Sequence, residues 1–164
     1  MMNTQVFIGI DPGGQGGIAI LWNGLITYPM PDTEKDIWEA IDNINLLRHA
    51  NIIELGISTT HCMIEAVHSM PGNAAQSMFK FGMNYGALRL ALIAAGIPFE
   101  SVRPEVWQKG MGIPSKRTTS STKSEHKTYL YARAQELFPR EKFRRDVADA
   151  VLLAEYCRRI RSSQ

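Results

Sequence analysis

Four carboxylates stand where chains normally avoid charge. Asp11 ends the apolar run "VFIGID", and Glu65 closes a second one, "CMIEA". Asp146 and Asp149 lie three apart in "DVADAVLLA", a spacing that puts both on one helix face beside Ala150 and Leu153, which read as core-directed. Clustered carboxylates repel at neutral pH and require a cation. Hard divalent ions with oxygen ligands suit them best, Mg²⁺ in particular. Two such ions about 3.5–4 Å apart can activate water and stabilise the leaving oxygen in phosphodiester cleavage. Each acid alone has a plainer use: Asp11 in an Asp-Pro-Gly turn, Glu65 in an ion pair, Asp146 at a helix N-terminus. The set of four points to metal-assisted phosphoryl chemistry.

The elements that must carry these acids are legible in outline. Val6–Ile10 reads as a central strand covered on both faces. Gly17–Trp22 and Leu25–Tyr28 flank Asn23-Gly24, a strong hairpin signal. Asp32 or Thr33 caps a helix over 34–48, with Ile37, Ile41 and Ile44 on one face. A strand over Cys62–Ala66 follows. Asn73 caps a long helix from Ala74 to about Ala95, stopped by Gly96. Phe99–Val102 reads as a strand, and Arg103-Pro104-Glu105 opens a short helix containing Trp107. Residues 110–122 read as a loop. Thr122 and Glu125 form a capping box for a helix beginning near Lys123, and the last helix spans about Arg144 to Ile160. Strands interleaved with helices give an α/β layered domain with a mixed sheet.

The chain has 164 residues, 45% apolar and 21% charged, which suits one globular domain spanning 1–164. No apolar run approaches the ~18 residues of a membrane span. The first strand starts too early to leave room for a signal peptide, so a cytoplasmic location is expected. Cys62 and Cys157 have no metal-binding spacing and read as small buried hydrophobes. The net charge of +2 conceals an asymmetry. Residues 1–102 hold 4 basic and 9 acidic side chains, whereas residues 103–164 hold 14 and 7. A basic half is suited to an anionic partner such as nucleic acid.

The stretches "IGIDPG", "IEAV" and "DVADAVLLA", with "GNAAQSMFKFGMNYGALRLAL" after the second acid, resemble the RuvC family of Holliday-junction resolvases, in its phage- or organelle-like branch. That family lies within the ribonuclease H-like, integrase superfamily. The resemblance implies a ribonuclease H-like fold, a mixed five-stranded sheet with helices on both faces, acting as a homodimer. It implies paired symmetric nicks in four-way DNA junctions, leaving 5′-phosphate and 3′-hydroxyl ends. Asp11, Glu65, Asp146 and Asp149 match the metal-binding acids, with two Mg²⁺ per site and Mn²⁺ as a substitute. No organic cofactor and no membrane partner is implied. The setting is a bacterial or phage-infected cell, or an organelle matrix after loss of a transit peptide.

Lys123 matches a family lysine near the active site that contacts phosphate. Another family lysine has its counterpart at Trp107 or Lys109, with Lys109 favoured. Lys116 and Arg117 fall in the loop expected to approach DNA, and Lys80 and Arg89 are expected to line the DNA face. The chain departs from the family pattern in two places. Gly14-Gln15-Gly16 replaces a polar and basic stretch, and His68 stands where an aromatic commonly stacks on bases, a role imidazole can also fill. Met78, Phe79, Phe81, Met83, Tyr85, Leu88 and Leu92 read as a core or dimer face, where Gly82 and Gly86 would allow close helix approach.

Other functions are consistent with the same acids. A ribonuclease H-like nuclease acting on RNA–DNA hybrid or on other branched DNA shares them. A non-catalytic junction binder would not need all four. An actin-like phosphotransferase also opens with an aspartate and a glycine-rich turn, but it requires two such domains around its nucleotide, for which 164 residues are too few.

Overall fold

A computed structural model describes residues 5–55, 59–67, 74–114 and 122–162. Strands β1 (Gln5–Asp11), β2 (Gly17–Leu21) and β3 (Leu25–Pro29) come first, followed by helix α1 (Glu34–Leu55) and strand β4 (Thr59–Glu65). Helix α2 (Ala75–Ala94), strand β5 (Phe99–Val102) and helix α3 (Pro104–Gly110) come next. Helix α4 (Lys123–Leu137), a 3₁₀ turn (Arg145–Val147) and helix α5 (Ala148–Arg161) complete the order. The five strands form one mixed sheet in the order β3-β2-β1-β4-β5. β1 pairs antiparallel with β2 and parallel with β4, and β4 pairs parallel with β5. The residue pattern predicts a mixed sheet, and five strands is what the resemblance implies.

Strand alternation divides the core between the two faces of the sheet. Val6, Ile8, Ile10 and Ile64 face one way and pack with Ile37, Ile41 and Ile44 of α1 and Leu88 and Leu92 of α2. Phe7 and Met63 face the other way and pack with Trp107 of α3, Leu130 of α4 and the buried side of α5. Asp11 has the parity of Phe7, and Glu65 has the parity of Met63. Both acids therefore belong to the α5 face. The parallel register that pairs Ile10 with Ile64 puts them one residue further on, side by side at the carboxyl ends of two central strands.

Helix α5 crosses β1, β2 and β4 at close quarters. At Gly9 a Cβ would lie 2.3 Å from Ala150 O and 2.3 Å from Ala154 N. No side chain fits between that strand and that helix, and this contact sets the height of α5 over the sheet. Arg145 fastens the preceding turn to α4, donating to Ser124 O at 2.8 Å and to Thr128 Oγ1 at 2.7 Å.

Several local expectations change at their edges. The helix expected over 34–48 continues to Leu55, because no glycine or proline intervenes before Gly56. Its N-cap is Thr33, whose hydroxyl accepts from Asp36 N at 3.1 Å. The N-cap of α2 is Ala74, without a side-chain cap; Asn73 lies outside the described residues. The capping box of Thr122 and Glu125 is present in full. Cys62 and Cys157 are buried and free, and burial pushes the Cys157 thiol up to about 12. No helix among the described residues is long and apolar enough to cross a membrane.

Candidate functional site

Three of the four acids meet at the carboxyl end of β1. Asp11 is buried there, and the turn after it folds back on its own strand end. Gly13 N donates to Asp11 Oδ1 at 3.1 Å, and Gly16 N donates to Gly13 O at 2.8 Å. A Cβ on Gly16 would lie 2.2 Å from the Asp11 carbonyl oxygen, so only glycine fits this turn. Glu65 arrives on β4, and its Oε2 accepts from the indole Nε1 of Trp107 at 2.9 Å. Asp149, buried in the first turn of α5, comes from the helix that Gly9 admits.

A lysine stands among them. Lys127 Nζ lies 2.5 Å from Asp149 Oδ2 and 3.7 Å from Asp11 Oδ2. Burial alone would lower the pKa of this ammonium, but Asp149, Asp11 and Glu65 together hold it above its ordinary value. Burial and then the charge of Asp149 push Asp11 up, against the pull of Lys127 and the Gly13 amide. Burial and then Asp11 push Glu65 from 4.5 to about 7, although the Trp107 hydrogen bond opposes the shift. Three carboxylates face one ammonium, and Asp149 Oδ1 is buried with no hydrogen-bond partner.

Not every expected residue joins this group. Asp146 was expected on the same helix face as Asp149, but it lies in the 3₁₀ turn before α5 begins, which alters that phase. Its carboxylate is held by Arg144 instead, with Nε at 3.1 Å from Oδ1 and Nη2 at 2.5 Å from Oδ2. Lys123 does not reach the acids. It is the exposed first residue of α4, and the lysine that reaches the acids is Lys127, one turn further along. The buried stripe His126, Leu130 and Ala134 was the available signal, since Lys127 flanks it. Of the pair Trp107 and Lys109, the buried Trp107 reaches Glu65, while Lys109 points out to solvent.

Lys80 and Arg89 are exposed on α2, with the Arg89 guanidinium 5.7 Å from the Tyr85 ring centroid and 5.9 Å from that of Phe99. His68, Lys116 and Arg117 lie outside the described residues.

No three His, Cys, Asp or Glu side chains among the described residues form a ready-made metal cage. The donor set nevertheless suits a divalent cation. Three carboxyl groups face one ammonium, Asp149 Oδ1 lacks a partner, and the raised Asp11 and Glu65 carboxyls are groups that a bound cation would return to their ionised forms.

The same arrangement of sheet and helices occurs in solved structures. RuvC of Thermus thermophilus in complex with a Holliday junction substrate superposes with a TM-score of 0.55 at 15% identity, over 94% of this chain and 96% of that one. The chain has the RuvC fold. A second Thermus thermophilus RuvC structure gives a TM-score of 0.51 at 17% identity, with the same coverage. No protein-family model and no curated protein matches the sequence. In this chain the ends of β1 and β4 and the start of α5 lie at one pole of the sheet, which is where the three carboxylates gather.

Proposed function

We propose that the protein is a metal-dependent endonuclease that cuts four-way DNA junctions. The observation that carries this reading is the convergence of Asp11, Glu65 and Asp149 at one sheet end, with Asp149 Oδ1 unpartnered. Asp11, Glu65 and Asp149 would hold Mg²⁺ or Mn²⁺, with Asp146 as a fourth ligand once released from Arg144. When bound, the metal supplies an activated water and neutralises charge on the scissile phosphate.

The remaining work falls to the chain itself. The Gly13 amide fixes the Asp11 carboxylate, and the Trp107 indole fixes Glu65. Lys127 keeps the acids together in the metal-free protein and is placed to turn its ammonium towards a phosphate when they are otherwise neutralised. The bare Gly13-Gly14 turn leaves space in front of Asp11 for a backbone to approach, since a Cβ at Gly14 would meet nothing within 4 Å. The basic residues 103–164 supply salt-sensitive affinity for DNA rather than sequence choice.

Two features favour a junction over a plain duplex. One solved structure of this fold is a RuvC bound to a Holliday junction substrate. In addition, α2 exposes Phe79, Met83, Leu90 and Ile93. With Gly86 they repeat at alternating spacings of four and three, the seam of a paired helix. A second copy docked there would give the two active sites that paired nicks require.

The test is nicking of a synthetic four-way junction, with and without Mg²⁺, beside an RNA–DNA hybrid of matched sequence. Paired symmetric nicks in the junction that need Mg²⁺ and disappear in Asp11→Asn are expected. Cleavage of the hybrid alone would overturn the junction reading, and persistent nicking by Asp11→Asn would overturn the metal reading.

A further inference from the structure

Trp107 is fully buried, yet the only polar atom of its side chain is directed at a carboxylate of the site. Its indole Nε1 donates to Glu65 Oε2 at 2.9 Å. The backbone of Trp107 is fixed within α3. Trp107 N donates to Arg103 O at 3.3 Å within α3, and Met111 N returns to Trp107 O at 2.9 Å. The side chain itself packs into the core beneath α5. A glutamate has three rotatable side-chain bonds, and it ends here beside two like charges. Left alone, it would swing away from Asp11 and Asp149.

We infer that Trp107 is the positioning residue for Glu65, holding one carboxylate oxygen so that the other is presented to the metal. This rests on the metal-dependent reading above. A neutral donor is well suited to the task. A lysine or arginine would orient Glu65 just as firmly, but its charge would cancel part of the field that attracts a divalent cation. Lys127 does cancel part of it, while the indole N–H leaves the excess of negative charge intact. Groups that orient a ligating side chain from behind commonly change metal affinity or activity by about 10–100-fold when removed.

Trp107→Phe retains an aromatic ring and deletes the N–H. Calorimetric titration of Mg²⁺ and Mn²⁺ into wild type and variant measures affinity without reference to cleavage. Circular dichroism and cooperative thermal unfolding establish that the variant is folded. The expected result is a folded variant with Mg²⁺ affinity roughly 10–100-fold weaker. A folded variant with unchanged affinity overturns the positioning role while leaving the metal reading intact. Wild type that binds neither ion overturns both.

A second measurement needs no Trp107 variant. The three indole N–H resonances of wild type can be assigned from Trp22→Phe and Trp38→Phe. On Mg²⁺ titration the Trp107 resonance should shift with the calorimetric midpoint while the other two stay fixed. A Trp107 resonance that does not move through a saturating titration overturns the inference even where Trp107→Phe fails to fold.

Discussion

Replacing Glu65 with glutamine probes the charge balance of the site most directly. In the metal-free fold the Glu65 carboxyl is raised from 4.5 to about 7, first by burial and then by Asp11. The folded protein therefore holds the Glu65 proton more tightly than the unfolded chain does. The stabilisation from this proton is complete below pH 4.5, and it is lost as the pH rises through about 7. At about 1.4 kcal/mol per pH unit, the full displacement corresponds to about 3 kcal/mol. Because Glu65 is only partly buried, water screens some of that, which leaves roughly 1–3 kcal/mol.

Glutamine mimics the protonated form, does not titrate, and can accept the Trp107 hydrogen bond through its amide oxygen. Urea unfolding in EDTA should find Glu65→Gln close to wild type near pH 4.5. At pH 8 it should be more stable by roughly 1–3 kcal/mol. Saturating Mg²⁺ should narrow or reverse the order at pH 8, because only wild type offers the full carboxylate set. Parallel pH profiles for the two proteins in EDTA would refute the electrostatic argument.

Lys127→Met removes the ammonium that competes with a metal for Asp11 and Asp149. Calorimetry should show tighter Mg²⁺ binding, nicking should slow, and the metal-free protein should melt earlier. Gly9→Ala drives a methyl group into Ala150 O and Ala154 N, so α5 must lift, carrying Asp149 with it. Denaturant unfolding should show a loss of about 3 kcal/mol or more, with loss of nicking at temperatures where the variant is still folded. Leu90→Asp puts a charge in the exposed seam of α2. The proposed dimer through α2 predicts that sedimentation will find wild type dimeric and the variant monomeric, and that junction assays will give single, unpaired nicks with no change in metal affinity.

The sequence by itself determined the strand-end acids and the faces they occupy. Alternation along "VFIGID" and "CMIEA" assigns Asp11 and Glu65 to one side of a sheet before any pairing is known. The Asn-Gly turn and the Thr122 capping box are equally local. Asn23 and Gly24 both adopt positive φ, as a tight hairpin requires, and the box bonds lie within four residues. The long apolar helix after Glu65 and the last helix that follows Asp146 are legible for the same reason, since periodicity is a property of the segment.

Tertiary structure decided which charges meet. Helical phase made Asp146 and Asp149 neighbours on paper, but one 3₁₀ turn, fixed by Arg145 against α4, turned Asp146 towards Arg144. Lys123 and Lys127 lie four residues apart, and the way α4 docks on α5 selects the second. The bond from Trp107 to Glu65 spans 42 residues and depends on where β5 delivers α3, which no local pattern encodes. Local rules reach as far as the hydrogen bonds and steric clashes of a few consecutive residues. A candidate site assembled from β1, β4, α3, α4 and α5 depends on packing distances between segments, and those are set by contacts such as Gly9 against Ala150 and Ala154.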